Sequence, residues 1–195
     1  FTDNLISSWH RFFGLPDGHR DSYPTDALHY QLSQPEHERR LFRTASGLGD
    51  IQVAVSRPLL TIDGGQLGFS AGIKTASGQS ADWLGSGTTD VYALLRFSGQ
   101  QLSGWPLWWH GQVGGTRAGD SDLLGPRQKR SLWFAGLSAE WRFSPRWSAL
   151  MQYDGHSALL DGALEALGEP AGMLSLAVRW RPTAHWMIDV GFSED

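Results

Sequence analysis

From Ser131 to Ser157 the chain alternates apolar and polar residues through two consecutive segments, SLWFAGLSAEWRF and WSALMQYDGHS, joined by Ser144-Pro145-Arg146. A period of two marks a strand whose faces meet different surroundings. Trp133, Ala135, Leu137, Ala139, Trp141 and Phe143 fall on one face of the first segment, and Leu132, Phe134, Gly136, Ser138, Glu140 and Arg142 on the other. After the tight connection, Trp147, Ala149, Met151 and Tyr153 oppose Ser148, Gln152, Asp154 and His156. The pattern predicts an antiparallel hairpin with one apolar face and one charged face.

A soluble hairpin shares that alternation. Two details favour a membrane: the apolar faces are edged by Trp and Tyr, and each arm supplies the roughly 9–11 residues that a tilted membrane strand needs. The expectation is an all-β, antiparallel up-and-down transmembrane β-barrel, with apolar side chains toward lipid and polar ones toward the lumen. The 195 residues fit one domain, 1–195. No run approaches the roughly 18 apolar residues of a membrane helix, so a mean hydropathy of -0.30 excludes a helical membrane protein and not a barrel. High Gly (24) and Trp (10) suit close-packed strands with aromatic girdles, although a Gly-rich soluble sandwich has the same composition. Without cysteine there is no disulfide framework, thiolate metal site or thiol nucleophile. A net charge of -4 with no long basic run argues against nucleic acid as a partner. The chain opens at Phe1 with no basic, signal-like segment, which reads as a removed presequence or an internal fragment.

Residues 1–47 are expected to form an extracellular loop, a short helix and a hairpin, and residues 48–195 the barrel strands. Leu5, Trp9, Phe12 and Phe13 recur at helical spacing, with Asp3 as cap and Gly14 and Pro16 as terminators. ALHYQLS and RLFRTAS read either as paired strands around Gln34–Glu38 or as a folded loop. From Gly49 onward, alternation and turn signals predict at least eight strands, over roughly 50–60, 67–76, 89–98, 107–117, 131–143, 147–157, 172–181 and 185–193. Short connections at 61–66, 99–106, 144–146 and 182–184 alternate with long ones at 77–88, 118–130 and 158–171. Such alternation separates short periplasmic turns from long extracellular loops in outer-membrane barrels.

The expected lumen-lining residues are Lys74, Arg96, His110, Gln112, Glu140, Arg142, Gln152, Asp154, Arg179, Arg181 and Asp189. The expected lipid-facing girdle is Trp133, Trp141, Trp180 and Trp186. The lumen has two readings. The cations neutralise Glu140, Asp154 and Asp189 in a salt-bridged plug, or they line a wet pore whose excess of Arg favours anions. Asp154, His156 and Ser157 raise a third, a lipid hydrolase with His156 as base, yet Ser157 alternates to the opposite face and no G-x-S-x-G elbow is present. The 7 His residues lack metal-ligand spacing, so no metal and no cofactor is expected. Gly85-Ser86-Gly87 with Asp90 reads as a turn, since no Walker lysine follows.

FGLPDGHR at 13–20, GLGDIQVAV at 47–55, GSGTTD at 85–90, YDGHSALL at 153–160 and the closing FSED resemble a proteobacterial family of outer-membrane β-barrel proteins described only as a domain of unknown function. GLGD, LGSGTTDV and Lys74-Thr75-Ala76-Ser77-Gly78 also resemble, more distantly, the outer-membrane channels of the MetA phenol-degradation pathway, which carry Leu-Pro-Thr-Gly at the last position. The resemblance implies the outer membrane of a Gram-negative bacterium, lipid as a partner, passage of small and even hydrophobic solutes, and further strands beyond this chain.

Overall fold

A computed structural model describes residues 2–16, 22, 30–101, 104–162 and 165–194. Ten strands form two antiparallel sheets. A hairpin pairs β1 (Tyr30–Gln34) with β2 (His37–Leu41), and a single meander joins β3 (Gln52–Ile62), β4 (Gly65–Lys74), β5 (Asp90–Gln100), β6 (Leu107–Arg117), β7 (Ser131–Trp141), β8 (Trp147–His156), β9 (Ala171–Thr183) and β10 (Trp186–Glu194). Each strand of the meander pairs with its sequence neighbours, so the eight lie side by side in chain order. This is the up-and-down order that alternating short and long connections demand.

The short connections are the tighter because two of them are two-residue turns. Asp63-Gly64 joins β3 to β4, and Gly64 takes φ 73°, where a side chain would be strained. The β1–β2 turn is likewise only Pro35-Glu36, which resolves residues 30–41 as a hairpin with Gln34 opposite His37. Ala27–His29 of the expected first arm and Asp17–Arg20 of the FGLPDGHR turn lie outside the described residues. Helix α1 (Thr2–Phe13) puts Leu5, Trp9 and Phe12 on the expected repeat and ends at Gly14, φ 67°. Its first residue is Thr2, so Asp3 lies within the first turn rather than at the cap.

At the long-connection end the loops pack on one another. Segment 118–130 bridges to Leu160 through Gln128, its Lys129 N–H donates to Leu159 O (2.9 Å), and Asp161 N–H donates to Arg127 O (2.7 Å). The β1–β2 hairpin docks on the same segment through Gln34 Nε2 to Leu124 O (2.6 Å) and Arg39 Nε to Asp122 O (3.0 Å). The core sits here: of the buried apolar side chains among the described residues, Leu41, Ala118, Ala158 and Leu160 lie in this cap and Leu94 alone on the large sheet.

The sheet is not closed. β3 and β10 are edge strands, and every residue of each is exposed. The antiparallel up-and-down order is as expected, and in this structure its eight strands form an open sheet. The edge character of β3 is written into Arg57-Pro58 and the bulge that follows, because Pro58 offers no N–H to a further ladder.

Candidate functional site

Pairing register assigns the two faces. On one, Phe69, Leu95, Val113 and Ala135 share a transverse row, as do Leu67, Phe97, Leu137, Tyr153 and Leu174. This face leaves Val53, Val55, Ile73, Val91, Leu95, Val113, Leu137, Met151, Val178 and Val190 exposed. The register puts three charges on it, Arg57 opposite Phe69 on the edge strand, and Arg117 opposite Val91 and Glu194 opposite Leu174 at the loop end.

Trp133, Trp141, Trp180 and Trp186 are all exposed, and Trp133 and Trp141 share the apolar face with Leu137. Trp133 stands at the loop end. Trp141, Trp180 and Trp186 stand at the turn end, where Trp105, Phe143 and Trp147 join them. Trp147 stacks on Trp180 with centroids 5.7 Å apart, and Trp141 lies 5.5 Å from Phe143. The turn-end aromatic cluster thus extends beyond the three expected tryptophans that stand there; Trp105 lies in a connection without alternation.

The opposite face is polar and holds three groupings. At the loop end Asp50, whose side chain is only 8% exposed, organises the connections. Its carboxylate accepts the Gly78 N–H (2.9 Å), the Ser86 N–H (2.9 Å) and Lys74 Nζ (2.7 Å). Lys74 also meets Asp90 at 3.0 Å, and Asp90 accepts the Gly119 N–H at 2.9 Å. The Lys74 ammonium, then the Ser86 N–H, hold the Asp50 carboxyl well below the usual carboxylate range. Lys74 was expected to neutralise lumen acids, but its partners are Asp50 and Asp90. GLGD and GSGTTD carry these residues, so the Gly85–Asp90 turn is one half of a charge-assisted knot.

At the turn end Glu140, 13% exposed, is ringed by cations. It accepts Arg142 Nε (2.9 Å), Arg181 Nη2 (2.7 Å), Arg179 Nη1 (3.1 Å) and Ser148 Oγ (2.8 Å). Arg179 forks onto both carboxylate oxygens of Asp189 at 2.8 Å. Arg142 lies over the Trp108 ring, 3.8 Å from its centroid. Five of the expected residues, Glu140, Arg142, Arg179, Arg181 and Asp189, form one compensated network.

Between these ends lies an open cavity of about 560 Å³. Arg96, His110, Gln112, Gln152 and Asp154, all expected from sequence, line it with Ser98 and Ser138. One transverse row reads Gly68, Arg96, Gln112, Gly136, Asp154 from β4 to β8. The next reads Gln66, Ser98, His110, Ser138, Gln152, Ser175 and, on β10, Ser193, without an apolar side chain. Toward the loops the face is filled instead, with Leu94 and Phe134 crowded over Gly114. Among the described residues, the side chains of Arg96, His110 and Gln112 make no protein hydrogen bond or ion pair. Asp154 accepts from Gln152 Nε2 at 2.6 Å rather than from an arginine.

The residues of the hydrolase reading do not converge. His156 Nδ1 donates to the Ser157 carbonyl oxygen (2.9 Å), whereas the Ser157 hydroxyl accepts the Trp133 N–H (3.1 Å). No cluster of three or more metal-ligating side chains occurs among the described residues, and no described helix is long and apolar enough to cross a membrane.

The family model described as "Protein of unknown function (DUF3187)" matches residues 1–195. No curated protein and no solved structure matches the chain.

Proposed function

The chain belongs to this family of unknown function over its whole length, and from its geometry we propose that it is an outer-membrane β-barrel protein of a Gram-negative bacterium, acting as a passive pore for small molecules. The carrying observation is the exposed apolar face shared by all eight strands of the meander, since large contiguous apolar patches are rare on soluble monomers. Lipid is the surrounding that makes such a face favourable, and the turn-end ring of tryptophans fits the headgroup boundary. In lipid an open edge is untenable, because each unpaired backbone group costs several kcal/mol. The barrel therefore closes, either by β3 meeting β10 or through strands outside these residues. Eight strands enclose an interior just wide enough for side chains, and more strands leave a channel.

A second reading, a structural barrel with a closed, salt-bridged interior, draws support from the Glu140 network. Planar-bilayer recording with reversal potentials separates the two. Discrete conductance steps are the expected result. Electrical silence from protein whose folding is verified by heat-modifiable gel migration hands the case to the closed barrel. If brominated lipid fails to quench Trp141 and Trp180 in reconstituted protein, the membrane reading itself falls.

A further inference from the structure

Resting on the proposal that the polar face is a wet interior, we propose that its middle belt is a binding site for a hydroxylated monocarboxylate, with Arg96 holding the carboxylate. The chain spends its other polar-face cations on its own acids. Lys74 is held by Asp50 and Asp90, and Arg142, Arg179 and Arg181 by Glu140 and Asp189. Arg96 has no such partner among the described residues, although it lines the cavity. An unpaired guanidinium in a groove offers a planar fork that matches a carboxylate in two parallel hydrogen bonds.

The rest of the belt specifies the body of the solute. His110, Gln112, Ser98 and Ser138 beside Arg96 offer hydrogen-bonding groups that suit hydroxyls on the solute. On the far side stands Asp154, three strand intervals from Arg96 along the same row, or about 14 Å along the sheet. Its position depends on a glycine. A Cβ at Gly136 would lie 2.6 Å from Asp154 Oδ1 and 3.6 Å from Gln112 Nε2. Carboxylate and amide thus lean over the same bare backbone toward the cavity, which shortens the span to Arg96. The Asp154 carboxylate accepts a hydrogen bond from a solute hydroxyl and repels a second carboxylate. The belt therefore selects a hydroxylated monoacid over both its neutral counterpart and a diacid. A cavity of about 560 Å³ is of the size that small-molecule sites take, roughly 300–1,000 Å³.

Isothermal titration calorimetry on the whole chain refolded in detergent tests this with D-gluconate, D-glucose and succinate as probes. Gluconate is expected to bind, with glucose and succinate weaker by about tenfold or more. Arg96→Gln should weaken gluconate by a similar factor, Arg96→Lys should fall between wild type and Arg96→Gln, and Asp154→Asn should bring succinate up to gluconate. Equal binding of glucose and gluconate by the unmutated protein overturns the assignment without recourse to any variant. So does unchanged gluconate affinity in folded Arg96→Gln. The pore reading is tested separately: gluconate selectivity without conductance removes the pore and keeps the site, while conductance without gluconate preference keeps the pore and removes the site.

Discussion

The two ends of the polar face solve opposite charge problems, and its middle leaves one open. At the loop end one cation, Lys74, sits between two carboxylates, and backbone N–H groups complete their shells. At the turn end one carboxylate, Glu140, sits among three guanidiniums, two of which are further occupied by Asp189 or the Trp108 ring. Partly buried charges survive only when compensated, so both ends are built to hold shape. The middle belt carries charge without that compensation. Arg96 is exposed on this face, and on the proposed function the contrast is one of scaffold against site.

If the ends are scaffold, breaking them should cost stability. Glu140→Ala leaves Arg142, Arg179 and Arg181 facing one another, and should lower unfolding free energy by about 3–5 kcal/mol in urea titration of the lipid-reconstituted protein. A loss under about 1 kcal/mol would put the network in the class of screened surface pairs. Asp50→Asn should cost somewhat less, about 2–3 kcal/mol, since Asp90 stays to hold Lys74. Its signature is local: faster hydrogen exchange at the Gly78 and Ser86 amides, with the turn end unmoved.

Asp50 also gives the comparison a pH dependence whose sign is fixed. Its carboxyl is depressed in the folded state, chiefly by Lys74 and the Ser86 N–H. The folded state therefore binds fewer protons than the unfolded one in the acid range, and its stabilisation is complete above about pH 4, near the ordinary Asp value. That contribution is lost as pH falls below this and toward the lower folded value. Exchange at Gly78 and Ser86, corrected for its intrinsic pH dependence, should be flat from neutral pH down to about 4 and rise below it. Loosening that begins near neutral pH would point to a different group.

The fold was legible wherever side chains face different media. Period-two alternation located every strand of the meander to within a few residues, because register is enforced residue by residue when one face is apolar. Closure was not legible, since nothing in a strand's own pattern names its second neighbour, and β3 and β10 look like inner strands apart from Arg57-Pro58. The polar face was readable as a set of residues and not as a set of partnerships. Lys74 stands on that face, but its partner Asp50 lies before β3 in a Gly-rich stretch without periodicity, where only tertiary folding brings GLGD against GSGTTD. The plug reading pairs Asp154 with a cation, yet the intervening Gly136 lets it lean over the sheet toward Gln112 instead. A glycine's absent side chain shapes its neighbours in a way that alternation does not register.

The smallest expected effect is the one that most sharpens the contrast between ends and middle. Arg96→Gln removes a full charge from the sheet, yet with no protein partner to strand it should change unfolding free energy by no more than about 0.5 kcal/mol. A loss comparable to that of Glu140→Ala would show Arg96 to be scaffold, and the distinction between ends and middle would collapse. The same substitution should shift the reversal potential in a salt gradient toward cations, because Asp154 is left as the belt's fixed charge. Stability and selectivity should respond in opposite proportion at the two kinds of position: Glu140→Ala should move mainly the first, and Arg96→Gln mainly the second. Measuring both quantities on both variants tests that crossing directly, and a change in either variant that moves both together refutes it.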